Sequence, residues 1–384
     1  MALSQTTIDI VKATTPVVGA NAEKITTTFY KIMFERYPMV KEFFNQTHQK
    51  AGKQQQALAN AVVAYAMNIE NLGALAGAVD GITERHASLN ILPEHYPIVG
   101  ECLLAAIAEV LGDAVTPEVA DAWGEAYGFL ADILIGVEKA KYAKTAEKAG
   151  GWNGYKEFKV AKKVKESASV TSFYFEAADG TPVISYDAGQ YISIKLEIPG
   201  EGNIVRNYSL SDWGGESLRI SVKKDGMFST HLHNEIKEGD TVKLNAPYGV
   251  FKLDSNSRPI VLVSGGVGLT PMLSMLHKLS KTNSSRSVSF LHGTQNQSEL
   301  AFENEIKELT QKSNFSVKTF FTEDNKRIGL EQLQEACDGV KETDFYICGP
   351  ATMMKALYKS LKDWGVAEEN IHYEYFGPSD TISE

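Results

Sequence analysis

Four stretches of this sequence carry residue types that could do chemistry. Near the middle of the chain Arg206-Asn207-Tyr208-Ser209 follows the turn-rich Ile198-Pro-Gly-Glu-Gly-Asn203. On an extended segment these types could seat a flavin. A guanidinium pairs with a pyrophosphate, a Tyr ring packs on an isoalloxazine or ribityl face, and a Ser reaches ring or ribityl polar atoms. An Arg and a Tyr on a surface strand are also an ordinary cross-strand pair, so the flanking segments decide. Gly226-Met-Phe-Ser229 reads as the opening of a helix, where free backbone N–H groups and the hydroxyl can hold a pyrophosphate. Gly265-Gly266-Val267-Gly268-Leu269-Thr270-Pro271 reads as a strand-to-helix turn, and Cys348-Gly349-Pro350 repeats that arrangement further on. In the first third the candidates are histidines. His86 follows Thr83-Glu84-Arg85 near a helix end, and by type and spacing His48 and His95 are equally eligible as metal ligands.

The elements that must position these residues change character along the chain. Up to about residue 148 the pattern is helical: Ile25, Phe29, Ile32 and Met33 share one face, as do Leu58, Val62, Tyr65 and Ile69. Pro117 opens a long helix with Val119, Trp123, Tyr127, Leu130, Leu134 and Val137 on one stripe. Three glycines in Lys148-Ala-Gly-Gly-Trp-Asn-Gly154 break the pattern and mark a boundary, with Trp152 expected at the seam. Alternation then takes over in Val170–Phe175, Tyr191–Leu196, Leu218–Val222 and Thr241–Leu244, as in a small antiparallel β-barrel. From Ile260-Val-Leu-Val-Ser264 onward, buried strand runs alternate with helices, as in a doubly wound parallel sheet. The sequence therefore predicts three domains, 1–148 all-α, 152–256 antiparallel barrel and 257–384 doubly wound α/β.

Composition narrows the class. The chain has 384 residues, is 43% hydrophobic and 22% charged, and has a formal net charge of -10. That balance belongs to a folded protein and argues against bulk affinity for nucleic acid or an anionic membrane. Three cysteines, Cys102, Cys337 and Cys348, have no metal-ligand spacing and read as reduced thiols. The Met1-Ala-Leu-Ser-Gln start lacks a signal-peptide pattern, and no apolar run reaches about 20 residues, so a cytoplasmic location is expected.

The order Tyr30, Phe44, Gln54, His86, Tyr96, Glu138 resembles the globin domain of the bacterial flavohaemoglobins. So do the strings Ala64-Tyr-Ala-Met-Asn-Ile-Glu-Asn71, Tyr96-Pro-Ile-Val-Gly-Glu101 and Asp121-Ala-Trp-Gly-Glu-Ala-Tyr127. The resemblance implies haem b, with His86 as the proximal iron ligand and Phe44 packed on the haem. Tyr30 and Gln54 would be the distal hydrogen-bonding pair, and Tyr96 and Glu138 would orient His86 and raise its donor strength. Arg85 stands where the family usually carries Lys, which bears on any tuning of haem or flavin potential from that position.

The later segments resemble the ferredoxin–NADP reductase superfamily. Ala188-Gly189-Gln190-Tyr191, Arg206–Ser209, Gly226–Ser229 and Pro247–Phe251 fall in the order of its FAD domain, with Ala188 where Pro is frequent. Gly266–Pro271, Cys348–Pro350 and Glu374-Tyr375-Phe376-Gly377-Pro378 match its pyridine-nucleotide half, and Phe376 would stack on the flavin. After Val288–Leu291, Gly293-Thr-Gln-Asn296 offers no Arg for a 2′-phosphate, which favours NADH over NADPH. The whole resemblance implies nitric oxide dioxygenation, with electrons passing from NAD(P)H to FAD to haem. Its ligands would be NO and O2, with a lipid as a further candidate in the distal pocket. The protein would be a monomer without nucleic-acid or membrane partners. Two rival readings stand beside it: an O2 carrier or sensor with a built-in reductase, and a haem-free flavin reductase.

Overall fold

The structure is a computed structural model that describes residues 3–44, 53–312 and 315–377, with the backbone alone for Lys53, Gln54 and Lys312. It divides into two compact units, one built on the chain up to Thr145 and the other on Ala146–Glu201 and Arg206–Phe376.

The first unit is helical, as the periodicity predicts. Its helices among the described residues are α1 (Gln5–Ala20), α2 (Ala22–Arg36), α3 (Lys53–Met67), α4 (Ala76–Leu89), α5 (His95–Leu111) and α6 (Pro117–Ala146). Ser4 caps α1 by accepting from the Thr7 backbone N–H at 3.1 Å. Asn90, in the left-handed region at φ 59°, stops α4 four residues beyond His86. Ile25, Phe29, Ile32 and Met33 are all buried on one side of α2, against Cys102, Leu103, Ala106 and Ile107 of α5. Tyr65 extends from α3 to donate to the Ala126 carbonyl at 2.7 Å, pinning α3 to α6. Among the described residues no helix is long and apolar enough to cross a membrane.

The second unit contains two sheets. The antiparallel one runs β4-β3-β6-β1-β2-β5, with β1 (Lys156–Lys165), β2 (Val170–Ala177), β3 (Tyr191–Ile198), β4 (Gly202–Ser209), β5 (Leu218–Lys223) and β6 (Thr241–Leu244). Just past the end of β4, a single bridge between Leu210 and Ile220 ties that edge to β5 at the other edge. Between β5 and β6 lies the short helix α7 (Met227–Asn234). Trp152, nearly buried, donates to the Leu244 carbonyl at 3.2 Å and packs on Phe158, so it seals one end of this sheet.

The parallel sheet runs β11-β10-β7-β8-β9, with β7 (Ile260–Gly265), β8 (Val288–Thr294), β9 (Phe315–Phe321), β10 (Asp344–Cys348) and β11 (Ile371–Glu374). Helices α8 (Leu269–Lys281), α9 (Glu303–Lys312), α10 (Leu330–Ala336) and α11 (Ala351–Trp364) connect its strands. The strand order reverses between β7 and β10, which is where ligands bind in open α/β sheets.

Asp344, fully buried at the start of β10, holds the opposite end of this sheet together. It accepts from Arg258 Nε at 2.7 Å and from Arg286 at 2.6 Å. Burial alone would raise its carboxyl, but His372, 3.8 Å away, and the hydrogen-bonded Arg258 guanidinium hold it down at about 2. A depressed folded-state value means that this stabilisation is present above the unfolded value near 4 and is lost as pH falls towards 2. Asp344→Asn is expected to lower stability at neutral pH by on the order of 2 kcal/mol and to flatten the acid limb between about pH 4 and 2. Chemical denaturation across that range checks both.

Candidate functional site

Three sets of residues come together, each on elements that its local sequence explains. In the helical unit, α4 carries His86 one turn before its end, and two other helices supply the partners. Glu138, in the middle of α6, is 2% exposed, and its Oε1 lies 2.8 Å from His86 Nδ1. Tyr96, in the first turn of α5, donates to the same oxygen at 2.6 Å and stands 3.2 Å from His86 Nδ1. Burial, and then the bond to Glu138, push the Tyr96 phenol well above its ordinary range, so it stays a donor. With Nδ1 committed to the carboxylate, the imidazole presents Nε2 as its free lone pair, the tautomer a metal ligand requires. Tyr127 fixes the start of α5 by donating to the Tyr96 carbonyl at 2.6 Å. On α4 itself, Asp80 and Glu84 are bridged by Lys141 of α6, both at 2.6 Å.

The distal candidates sit in a different apolar cluster. Tyr30, 8% exposed on α2, meets Phe44 edge-on at 5.6 Å and Phe29 at 4.9 Å, and Phe34 lies 5.4 Å from Phe44. Val79, Ile82, Ile91, Leu134 and Tyr96 form the cluster on the His86 side, which shares only Tyr127 and Leu130 at its margin with the cluster around Tyr30. A positioned imidazole beside apolar side chains fits the donor set of a haem site. Arg85 is exposed, and its part in the local bonding is a carbonyl that accepts from Ser88. The Gln54 side chain and His48 lie outside the described residues. His95 takes a different role from His86: its Nδ1 accepts from the Leu92 backbone N–H at 2.9 Å, closing the turn before α5.

In the antiparallel sheet, Arg206 and Tyr208 alternate on one face of β4, as strand geometry demands. Both reach Phe228 of α7: the guanidinium lies 5.8 Å from the ring centre, and the Tyr208 ring stacks at 6.2 Å. Burial lowers the Arg206 guanidinium from its ordinary value and raises the Tyr208 phenol. Asn207 points the other way and accepts from Ser193 at 2.7 Å, while Ser209 is buried. Gly226 precedes α7, so its first-turn N–H groups lie beside the Arg206 charge, a combination suited to a pyrophosphate. The Ser229 hydroxyl is turned back instead: it donates to the Asp225 carbonyl at 2.6 Å and accepts from the Asp225 N–H at 2.7 Å. Tyr191 lies flat against Gly249, where a Cβ would stand 2.9 Å from its ring.

At the switch point of the parallel sheet, Ser264 of β7 is level with Cys348 of β10. Gly268 presses so closely on that strand end that a Cβ would lie 2.3 Å from the Cys348 carbonyl, and Gly266 is left-handed at φ 53° with open space above it. Gly266, Val267 and Gly268 thus form a tight turn into α8, whose first residues are Leu269, Thr270 and Pro271. Facing them, Gly349 and Pro350 turn β10 into α11, and burial pushes the fully buried Cys348 thiol well above its ordinary range. Tyr375 packs on the core beneath β11 and Phe376 is 45% exposed. Gly377 is the last described residue, and Pro378 lies outside the described residues.

Family models agree with this division: a globin model matches residues 27–134, an oxidoreductase FAD-binding domain 157–253 and an oxidoreductase NAD-binding domain 262–359. A flavohemoprotein of Rhizobium meliloti is 46% identical over 98% of this chain and 98% of its own. The chain belongs to the flavohaemoprotein family. The flavohemoglobin of Malassezia yamatoensis, solved with bound FAD and heme, superposes with a TM-score of 0.88 at 28% identity, covering 98% of this chain and all of that one. The FAD/NAD binding domain of a Vibrio cholerae nitric oxide dioxygenase covers 58% of this chain and 99% of its own, at 36% identity and a TM-score of 0.51. As a flavohaemoprotein the chain is an NAD(P)H-dependent oxidoreductase with haem and FAD as cofactors.

Several partners of these sites carry no local signal. Phe228, the ring that organises Arg206 and Tyr208, looks like an ordinary first-turn hydrophobe. Lys163 caps the far end of α7 by donating to the His233 and Ile236 carbonyls, yet it reads as a surface lysine of β1. Glu138→Gln removes the charge that accepts from His86 Nδ1. It is expected to lower the iron–histidine stretching frequency of the ferrous protein while leaving haem content within about twofold. Resonance Raman spectroscopy checks this, and an unchanged frequency would contradict the role given to Glu138.

Proposed function

We propose that this flavohaemoprotein is a nitric oxide dioxygenase that turns 2 NO, 2 O2 and NAD(P)H into 2 nitrate, NAD(P)+ and H+. The observation that carries the reading is the convergence of His86 Nδ1 and Tyr96 OH on the buried Glu138 carboxylate. A strongly donating proximal base favours O2 activation over simple storage, for which a reductase would only keep the iron ferrous. Bound haem would supply the iron at which O2 and NO react, and bound FAD would divide a hydride's two electrons into single ones.

The chain's own residues do the rest. His86 offers Nε2 to the iron, and Glu138 keeps the Nδ1 proton in place, which strengthens the donor. Tyr30 donates a hydrogen bond where negative charge develops on the distal ligand, with Gln54 as its proposed companion. Phe44 and its aromatic neighbours exclude water from that side. Arg206 and the first turn of α7 bind the flavin pyrophosphate, Tyr208 and Tyr191 pack on the flavin, and Ser209 reaches its polar atoms. The turn Gly266–Pro271 and the Cys348-Gly349-Pro350 turn bind the pyridine nucleotide, and Phe376 covers the flavin until the nicotinamide arrives. The absence of Arg from Gly293-Thr-Gln-Asn296 supports NADH as the preferred donor. The three modules would be 1–148, 152–256 and 257–384, in a cytoplasmic monomer.

NADH-dependent loss of NO in air, with one nitrate formed per NO, is the expected result for the purified haem- and flavin-loaded protein. Slow loss without nitrate would reject the proposal in favour of an O2 carrier. Tyr30→Phe should lower NO turnover by roughly ten- to a hundredfold. Reduction of the flavin by NADH should stay unchanged in stopped-flow absorbance, and turnover at the unsubstituted rate would remove Tyr30 from the mechanism.

A further inference from the structure

Arg219, on β5, is a charged side chain 4% exposed, and no flavin or nucleotide motif includes it. Its guanidinium makes a two-pronged pair with Glu305 of α9, Nη1 to Oε2 at 2.8 Å and Nη2 to Oε1 at 2.7 Å. His277 of α8 shares that carboxylate, with Nε2 2.6 Å from Oε1. The guanidinium lies 5.1 Å from the Phe302 ring centre, and Nη1 also donates to the Tyr174 hydroxyl at 3.4 Å. One carboxylate thus joins a strand of the antiparallel sheet to two helices of the parallel sheet. Burial alone would raise the Glu305 carboxyl, but His277 and Arg219 hold it down at about 2, so it stays a carboxylate through the neutral range.

What the network grips is informative. The remaining Arg219 N–H groups reach back to Ser211, Nε donating to its hydroxyl at 3.1 Å and Nη2 to its carbonyl. Ser211 stands two residues beyond Ser209, at the exit of the strand that carries Arg206 and Tyr208. The same short segment is held from α8, where Ser274 donates to the Asp212 carbonyl at 2.7 Å and Lys281 to the Trp213 carbonyl at 2.6 Å. Helix α8 is the one that begins at the nucleotide turn Gly266–Gly268. The exit of the flavin-facing strand and the helix leaving the nucleotide turn are therefore bolted to each other through fixed, directional hydrogen bonds.

We propose that Arg219, Glu305 and His277 are positioning residues for hydride transfer, setting the nicotinamide against the flavin by locking Ser211–Trp213 to α8. Hydride transfer depends steeply on this distance, since a misplacement of about 1 Å can cost on the order of 10²-fold in rate. A planar two-pronged pair specifies both distance and angle, which apolar packing of the same volume does not. The inference rests on the NAD(P)H-dependent chemistry of the family and not on NO, because flavin reduction is read before haem or NO takes part.

The test uses the full-length, haem- and FAD-loaded protein and follows flavin bleaching by NADH in anaerobic stopped-flow. For Glu305→Gln the rate at saturating NADH should fall at least about tenfold. The NADH concentration for half-saturation should change little, and the isotope effect with 4-deuterated NADH should rise. FAD content and the CO-bound haem spectrum should stay as in the unsubstituted protein, while amide exchange quickens in Ser211–Trp213 and α8. The double variant Arg219→Met, Glu305→Leu separates alignment from stability, because replacing both ends of a buried pair by apolar groups commonly preserves stability. Its melting temperature should recover relative to Arg219→Met alone while hydride transfer stays slow. The proposal is overturned if Glu305→Gln reduces its flavin at the unsubstituted rate, if it loses FAD instead, or if the double variant regains rate together with stability. Should the double variant not fold, the Glu305→Gln rate and isotope effect decide alone.

Discussion

A carboxylate with almost no solvent around it organises the helical unit. Glu138 is 2% exposed, and burying such a group is costly unless its oxygens are hydrogen-bonded. The two donors that meet that need come from other helices, His86 of α4 and Tyr96 of α5. Satisfying Glu138 therefore fixes the orientation of the imidazole, the phase of α5 and the tautomer of His86 in one step. Tyr127 extends the chain of constraints by holding the backbone at Tyr96. Removing the carboxylate would leave a buried phenol and an imidazole seeking partners, so this part of the core and the orientation of His86 depend on each other.

The reductase unit follows a different rule, in which backbone takes the place of side chains. The turn after β7 lies so close to the end of β10 that only glycine fits at Gly268, and Gly266 supplies a left-handed turn above it. That close approach brings the start of α8 to the switch point, and a helix N-terminus is a place where a pyrophosphate can be held. On the flavin side the solution is the opposite one. Arg206 brings a charge, and α7 adds its first turn, with the far end of that helix capped by Lys163.

Features set by local chain chemistry were legible in the sequence. The helical stripes of α2 and α6, the alternation of β2, β3, β5 and β6, and the glycine turns after β7 and β10 all depend on neighbours within a few residues. The Leu210–Ile220 bridge beyond β4 and the strand order of either sheet depend on long-range closure, and no local pattern encodes them. The choice among His48, His86 and His95 could not be made from spacing, because what distinguishes His86 is a carboxylate 52 residues away. Family resemblance singles out His86, and its bond to Glu138 supports the proposal. The Ser229 hydroxyl reads as a phosphate ligand by type, and what its type does not reveal is its pair of bonds with the Asp225 backbone. Arg219 and Glu305, 86 residues apart, look like two surface charges until the sheets are assembled.

The proposed route carries electrons from a pyridine nucleotide, through a flavin at Arg206–Ser209, to a haem on His86. The visible spectrum of the purified protein, taken before and after anaerobic NADH under CO, decides it. A Soret band with a flavin shoulder is expected at the start. After NADH the flavin should bleach and the Soret band should then move to the position of a ferrous CO complex. A protein with no Soret band, or one whose flavin bleaches while the haem stays ferric, would contradict it.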